Sequence, residues 1–156
     1  MAIALTLERY LDSKHVKYEV IAHEPTSTSM QTAETCRIPG DRLAKAVLLR
    51  DDVGYAVAVL PASHHIRLSE LKRQFGSDVE LATEREAEEL FEDCARGAIP
   101  VVSECYGLDM LVDDSIDEQP DVYFEGGDHE TLIHMSHREF AGLTATARHA
   151  SFSARH

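Results

Sequence analysis

The sequence predicts an α+β fold, in which helices flank a mixed β-sheet. Two strand pairs joined by tight polar turns indicate the sheet: the apolar segments around Asp51-Asp52-Val53-Gly54, and those around Gly126-Gly127-Asp128. Helical segments lie between such pairs and do not alternate strictly with single strands. This order favours a mixed sheet, and the sequence contains no internal repeat or linker.

Length and composition predict one domain. The chain has 156 residues, of which 44% are hydrophobic, and this is enough for one substantial core. We expect the domain to span residues 1–143. The last segment, 144–156, has no hydrophobic period and is expected to be a flexible C-terminal tail.

The elements of the first half follow from periodicity and from capping residues. Apolar residues at helical spacing predict a helix near the start, and Ser29 is a candidate cap for a second helix that ends before Pro39-Gly40. A buried strand, a polar turn and a returning strand come next. The predicted elements are a helix over 6–13, an extended segment over 18–22, a helix from 29 past 36, and strands over 43–49 and 55–60.

The second half contains two capping-box patterns, Thr83-Glu84-Arg85-Glu86 and Ser136-His137-Arg138-Glu139, and each predicts a helix start. Gly76 is expected to end the helix before the first of them. Residues 97–108 read as a loop punctuated by Gly and Pro. The predicted elements are helices over 69–75, 83–94 and from 136, strands over 79–82, 110–112, 122–125 and 131–135, and an acidic turn over 113–120.

Several protein classes are excluded by simple counts. The chain has no apolar run of the roughly 18 residues that a membrane-spanning helix needs, and Glu8 and Arg9 come too early for a signal peptide. A cytoplasmic protein is therefore expected. The cysteines Cys36, Cys94 and Cys105 are odd in number and lack CxxC spacing, which argues against a disulfide framework and a structural zinc site.

The net charge of −13 argues against extensive contact with nucleic acid, which depends on Lys and Arg. The charge is unevenly distributed, however. Of the 28 acidic and 15 basic residues, 18 acidic and two basic ones lie within 78–130. The rest of the chain, with 10 acidic and 13 basic residues, is mildly basic and leaves room for a local basic patch.

Lys45 is the residue that the predicted fold does not explain. It stands inside the apolar strand LAKAVLL, whereas the other three lysines of the chain lie in polar stretches. A lysine at a strand end can extend its ammonium group to water while its stem stays buried. Alternatively, the ammonium group faces a cleft and binds a ligand.

Two further segments are candidate functional loops. Gly97-Ala98-Ile99-Pro100 can bring backbone amides close to a ligand, although a loop with Gly and Pro is commonly only a turn. His129, His134 and His137 fall on a turn, a strand and a helix start without a recognisable ligand spacing, so no metal is expected. No G-x-S-x-G or reactive-Cys pattern is present, which argues against a covalent intermediate.

Taken in order, AKAVLL (44–49), GAIP (97–100), LVDDS (111–115) and GGDH-x-x-x-I (126–133) resemble the YbaK family, relatives of the editing domain of bacterial prolyl-tRNA synthetases. His23-Glu24-Pro25-Thr26 and Thr28 resemble that family's N-terminal pocket segment. The resemblance covers about residues 5–140. It implies a mixed, partly barrel-like β-sheet flanked by helices, and one editing domain over 1–143.

The resemblance implies hydrolysis of an amino acid wrongly esterified to tRNA. Lys45, Gly97 and His129 match the catalytic positions of the family. His23, Thr26 and Thr28, together with Ala98, Ile99 and Pro100, are the implied substrate-binding residues. Val101 and Ser103 depart from the G-x-x-x-P-x-G loop of the family, which puts the substrate in question more than the reaction.

An activated ester needs only a positioned water and donors for the developing oxyanion, so no cofactor or metal is implied. On this interpretation Lys45 binds the terminal phosphate or the ester carbonyl, the Gly97 loop orients water or oxyanion, and His129 anchors the substrate. A pocket that excludes larger side chains would admit a small amino acid such as Ala, Ser or Cys. One carrier of such a wrongly attached amino acid would be tRNA-Pro. The expected partners are mischarged tRNA, weakly bound, and an aminoacyl-tRNA synthetase.

Two other functions fit the same residues. One is a non-catalytic module of the same fold that binds tRNA or a synthetase, which Val101, Ser103 and the acidic surface make credible. The other is an esterase for small molecules that uses the same pocket.

Overall fold

The computed structural model of the protein describes residues 3–156. The helices are α1 (Leu5–Ser13), α2 (Ser29–Cys36), α3 (Leu68–Phe75), α4 (Glu84–Leu90), α5 (Asp114–Asp117) and α6 (His137–Leu143), with a 3-10 turn at Glu104–Tyr106. The strands are β1 (Glu19–Ala22), β2 (Leu43–Arg50), β3 (Tyr55–Pro61), β4 (His64–Ile66), β5 (Glu80–Leu81), β6 (Asp109–Asp113), β7 (Asp121–Glu125), β8 (Thr131–Ser136), β9 (Arg148–Ala150) and β10 (Ser153–Arg155).

The sheet is mixed, as predicted. Its strands follow the order β1-β8-β7-β2-β3-β6-β9, and β5 pairs with one end of β2. The two predicted hairpins, β2-β3 and β7-β8, are antiparallel, whereas β2 pairs with β7 and β3 with β6 in parallel. A separate two-stranded sheet joins β4 and β10. The mixed sheet flanked by helices confirms the predicted fold class.

Local capping explains where the helices begin. Thr83 accepts from the Glu86 amide and the Glu86 carboxylate accepts from the Thr83 amide, so the predicted capping box is present. Ser136 accepts from the Glu139 amide at the start of α6. Thr28, not Ser29, caps α2 by accepting from the Gln31 amide. The Thr28 backbone is extended while that of Ser29 is already helical, and this decides between the two hydroxyls.

Three predicted boundaries differ from the structure. The helix after Thr83 ends at Leu90 rather than near residue 94, because Phe91 turns inward and is only 1% exposed. The predicted acidic turn contains the short helix α5, which Asp113 caps by accepting from the Ser115 amide. The strand predicted over 79–82 shrinks to two residues that pair with β2.

The prediction of a flexible tail over 144–156 is wrong, because this segment forms two strands. Strand β9 pairs in parallel with β6, and β10 pairs with β4. Between them Phe152 is fully buried against Leu60 and Leu71. Asp113 holds this turn, since its Oδ1 accepts from the amides of Phe152 and Ser153 at 2.9 and 3.0 Å. One buried aromatic residue and long-range strand pairing provide order that has no periodic signal in the sequence.

The main core lies between the sheet and helices α1 and α6. Leu7 and Leu11 of α1 are buried in it, as the helical spacing predicted, and Phe140 of α6 is buried there as well. A smaller cluster places α2 against the opposite face of the sheet through Ala33, next to Leu43. No helix within residues 3–156 is long and apolar enough to cross a membrane.

Candidate active site

The candidate site lies at a gap in the sheet beside β2. Strand β7 pairs with β2 at Leu43 and Ala44, whereas β5 pairs with β2 only at Leu49 and Arg50. Between these two contacts, one edge of β2 is not covered by a strand of the described chain. Lys45 is the first residue of β2 beyond the pairing with β7, and Glu125 is the next residue of β7 after the paired Phe124.

A cavity of about 170 Å³ occupies this gap. Its walls come from α2 and the turn before it, from β2, from the loop after α4 and from the β7-β8 hairpin. The lining residues are Ser27, Thr28, Ser29, Thr32, Leu43, Ala44, Lys45, Ala46, Gly97, Ile99, Glu125, His129 and Leu132. The fold therefore brings five of the nine sequence-predicted site residues to one cavity: Thr28, Lys45, Gly97, Ile99 and His129.

Lys45 is half-buried and carries a charge without a partner. Within the described residues no carboxylate lies within 4.0 Å of its ammonium group, whereas most arginines of the chain do have such a partner. Burial lowers the pKa of Lys45, because the charged form loses hydration. A cation that is desolvated and unpaired at a cavity wall is suited to bind an anionic or developing negative group.

Glu125 is the acidic group of the same cavity, and the sequence analysis missed it. Its Oε2 accepts from the Gly127 and His129 amides at 3.0 and 3.3 Å, so the turn fixes the orientation of the carboxylate. Burial raises the pKa of Glu125, although the amides and the nearby His129 partly oppose this effect. The only signal in the sequence was an acidic residue at a strand end directly before Gly126-Gly127.

The Gly97 loop has the backbone freedom that the sequence predicted. Gly97 has a φ of 78°, in the left-handed region that favours glycine. The Ala98 amide already donates to Ala95 O at 3.0 Å, so it is not available to a ligand as the sequence analysis expected. The Gly97 and Ile99 amides make no hydrogen bond within residues 3–156. Both residues line the cavity and can present these amides as donors.

His129 braces this loop. Its Nε2 donates to the carbonyl oxygen of Arg96 at 2.6 Å, and this bond joins the β7-β8 turn to the residue before Gly97. His129 adopts a left-handed φ of 64° to do so. Because Nε2 is occupied, only Nδ1 remains, and it lies 3.9 Å from Glu125 Oε1. The structure thus gives His129 a positioning contact, where the sequence analysis expected an anchor for the substrate.

A second glycine explains why the turn sits against the loop. Gly127 has a φ of 124°, and a Cβ there would lie 2.9 Å from Ala4 Cβ. The Gly127 carbonyl oxygen accepts from the Ala95 amide at 2.7 Å, which ties the turn to the segment that leads to Gly97. Any larger residue at 127 would collide with Ala4 and strain the left-handed backbone of the turn that holds this bond.

Hydroxyl groups line the α2 side of the cavity. Thr32 lies one turn beyond Thr28, is only 5% exposed, and donates to the Thr28 carbonyl oxygen at 3.1 Å. Thr26 does not line the cavity, but its Oγ1 lies 2.6 Å from Oγ1 of Thr32. The i, i+4 spacing of Thr28 and Thr32 is the sequence signal that could have identified Thr32.

Three other predicted residues lie outside the lining. Ala98 and Pro100 are buried beneath the loop, so they support it and do not face the cavity. His23 pairs through its amide with the Glu130 carbonyl oxygen, and its Nδ1 lies 2.7 Å from the Glu24 carbonyl oxygen. His23 therefore shapes the entry to α2 from outside the lining.

The two departures from the family loop are core residues. Val101 is 1% exposed and Ser103 is fully buried, with its hydroxyl donating to the Leu108 carbonyl oxygen at 3.3 Å. Neither residue lines the cavity. The side chains at the two departures therefore do not form part of the cavity wall.

A thiol nucleophile is not supported by the surroundings of the cysteines. Burial raises the pKa of Cys94 to about 11 and that of Cys105 to about 12, so both remain protonated near neutral pH. Cys94 lines a neighbouring, more apolar cavity of about 210 Å³ that shares Ala46, Gly97 and Ile99 with the candidate site.

The histidines do not assemble a metal site. Among residues 3–156, the potential ligands that converge are Asp51, Asp52 and Asp78, which are all exposed and do not line the candidate site. A larger cleft of about 580 Å³ lies along the other end of β2, but it contains none of the predicted site residues. Of its two arginines, Arg50 is paired with Glu80 at 2.7 Å, and the guanidinium of Arg148 lies over the Phe75 ring at 4.3 Å from the ring centroid.

Comparisons with known proteins bear on the family and the fold. The family model described as the aminoacyl-tRNA editing domain matches residues 23–143. This range includes every residue of the cavity lining. No curated protein matches the chain.

Solved structures show the same fold. Hypothetical protein APE2540 is 23% identical, with a TM-score of 0.85 over 96% of this chain and 99% of its own. A candidate trans-editing enzyme for prolyl-tRNA synthetase is 22% identical, with a TM-score of 0.83 over 97% of this chain and 96% of its own. A protein of Marinobacter aquaeolei VT8 assigned to signal transduction is 22% identical, with a TM-score of 0.77, but the match covers 96% of this chain and 30% of that one.

Proposed function

Because the chain belongs to the aminoacyl-tRNA editing domain family, we propose that it is a trans-acting deacylase that hydrolyses the ester bond of mischarged tRNA. The observation that carries this proposal is the unpaired, half-buried Lys45 beside the Gly97 and Ile99 amides in one small cavity. Such a set of donors stabilises an oxyanion without a protein nucleophile.

The reaction requires one water molecule and no covalent intermediate. Water attacks the ester carbonyl carbon, and the bond between that carbon and the ribose oxygen breaks. The ribose hydroxyl leaves with a proton, so the products are a free amino acid and tRNA. Lys45 and the loop amides stabilise the negative charge that develops on the carbonyl oxygen. A neighbouring hydroxyl of the substrate's own ribose assists the proton transfer.

The size of the cavity favours a small amino acid. About 170 Å³ is well below the roughly 300–1,000 Å³ of pockets for drug-sized ligands. Leu43, Ile99 and Leu132 limit the space with apolar side chains. Alanine, serine or cysteine therefore fits as the substrate class, with tRNA-Pro as one carrier, because a size sieve rejects the larger cognate amino acid.

Weak intrinsic affinity for tRNA is expected from the surface charges. Arg42, Arg50 and Arg73 each have a carboxylate within 4.0 Å, so their charges are already partly neutralised and attract phosphate less strongly. With two to four phosphates neutralised, the slope of log K against log salt should be roughly −1.5 to −3.5. We propose that a synthetase partner presents the mischarged end, which compensates for the weak binding.

The test is a deacylation assay on tRNAs mischarged with alanine, serine, cysteine and larger amino acids, with esters of the free amino acids in the same panel. We expect hydrolysis of the small aminoacyl-tRNAs, and loss of this activity in Lys45→Ala. Lys72→Ala is the matched control, because Lys72 is exposed and lies outside the cavity. Binding of tRNA without hydrolysis would favour the non-catalytic module, and activity on the free esters alone would favour a small-molecule esterase.

A further inference from the structure

The candidate site contains two opposite charges that do not neutralise each other. Lys45 and Glu125 both line the cavity, but their charged groups are not within 4.0 Å of each other. The nearest cationic candidate for Glu125 among the described residues is His129, whose Nδ1 is 3.9 Å away. A desolvated carboxylate and a desolvated ammonium group in one small cavity would be costly for stability unless a ligand satisfies both.

The ligand that fits has its own positive and negative groups close together. An amino acid ester has an α-ammonium group one carbon away from the carbonyl, where negative charge develops during hydrolysis. If Lys45 and the Gly97 loop hold the carbonyl oxygen, the ammonium group lies within the same cavity. Glu125 is the one carboxylate in the cavity lining.

We propose that Glu125 is a specificity-determining residue that binds the α-ammonium group of the aminoacyl ester. The site then accepts esters with a free amine and rejects those in which the nitrogen is acylated or replaced by a hydroxyl. This inference rests on the proposed function, because it concerns the substrate of the same cavity.

Two features of the turn prepare Glu125 for this role. The Gly127 and His129 amides both bind Oε2, which holds the carboxylate in one orientation before the substrate arrives. A carboxylate has about four acceptor positions, so these two bonds leave capacity for an ammonium group. Burial raises the pKa of Glu125, so a bound cation restores the stability of the ionised form.

The test compares alanyl-tRNA with lactyl-tRNA, in which a hydroxyl replaces the ammonium group at nearly the same size. Each enzymatic rate is divided by the rate of spontaneous hydrolysis of the same ester, because the ammonium group activates the ester by itself. A hydrogen bond to a charged group predicts a corrected preference for the alanyl ester of roughly ten- to a hundredfold. Equal corrected rates would overturn the inference.

Glu125→Gln isolates the charge. Glutamine keeps an oxygen acceptor for the turn amides but no longer attracts a cation, so the preference should fall to within about threefold. Glu130→Gln is the matched control, since Glu130 lies in the same hairpin but not in the cavity lining, and it should keep the wild-type preference. A Glu125→Gln enzyme that retains the wild-type preference would refute the role of the carboxylate.

A second measurement separates the inference from the proposed function. Adenosine carrying alanine or lactate through a 3′-amide cannot be hydrolysed, and its binding can be followed by calorimetry. If no ester is hydrolysed, the deacylase proposal fails. Preferential binding of the alanyl analogue that depends on Glu125 would then still support the ammonium site, and equal binding or none would overturn it.

Discussion

Replacing Lys45 with methionine should remove activity without reducing stability. Methionine keeps most of the apolar stem but carries no charge. The Lys45 ammonium group makes no ion pair or hydrogen bond within residues 3–156, so the substitution breaks no polar side-chain contact. It does remove a desolvated charge, and substitutions that relieve such a cost at functional sites commonly stabilise by about 0.5–2 kcal/mol.

The substitution is expected to lower activity and to raise the free energy of unfolding. Loss of one oxyanion donor typically lowers kcat by about 10²–10³. A gain of about 1 kcal/mol in the free energy of unfolding raises Tm by about 2–4 °C for a chain of this size. The assays are single-turnover deacylation and urea denaturation of the same preparations, with Lys72→Met as the exposed control.

The pH dependence of the free energy of unfolding gives a further check on the cost of burying the Lys45 charge. Since burial lowers the pKa of Lys45 in the folded state, the charge costs stability at every pH below its folded pKa. The cost disappears as pH rises through the folded pKa towards the unfolded value of about 10.4. The stability advantage of Lys45→Met should therefore shrink between neutral pH and pH ~10. A loss of more than about 1 kcal/mol at pH 7, or wild-type turnover, would refute the reasoning.

Three other predictions test the rest of the structure. Phe152→Ala should lower the free energy of unfolding by about 3–5 kcal/mol in urea denaturation, because Phe152 is fully buried; a loss below 1 kcal/mol would contradict an integrated C-terminal segment. Burial alone would raise the pKa of Asp113, but hydrogen bonds from Ser115 and Phe152 lower it overall, so its contribution is present above pH ~3.9 and is lost as pH falls through the folded pKa. Asp113→Asn should lack this part of the acid transition, and identical acid curves would contradict the assignment. Deacylation should survive exhaustive chelation, since the proposed donors are a lysine and backbone amides; loss on chelation with recovery on adding zinc would favour a metal mechanism.

Much of the fold could be predicted because its signals are local. The two hairpins follow from apolar runs around polar turns, and the helix start at Thr83 follows from a capping box. Local signals failed where long-range contacts decide the conformation. The segment after residue 143 has no period, yet both of its strands find partners far back in the chain. Arg148 of β9 pairs with Leu111, 37 positions earlier, and Arg155 of β10 pairs with His64, 91 positions earlier.

 The pairing energy of such strands depends on residues far away in the sequence, so no local pattern reveals it.

The sequence by itself determined the family resemblance and the candidates Lys45, Gly97 and His129, because an unexplained charge in an apolar strand and glycines at turns are visible without coordinates. Only the tertiary structure decided that β7 and β5 pair with β2 on either side of Lys45 but not at Lys45 itself. It also decided that the resulting gap holds Glu125. It also decided that His129 braces the Gly97 loop through the Arg96 carbonyl oxygen. The physical reason is that a side chain's role depends on which groups desolvate it and which satisfy its hydrogen bonds, and these groups come from strands and turns distant in sequence.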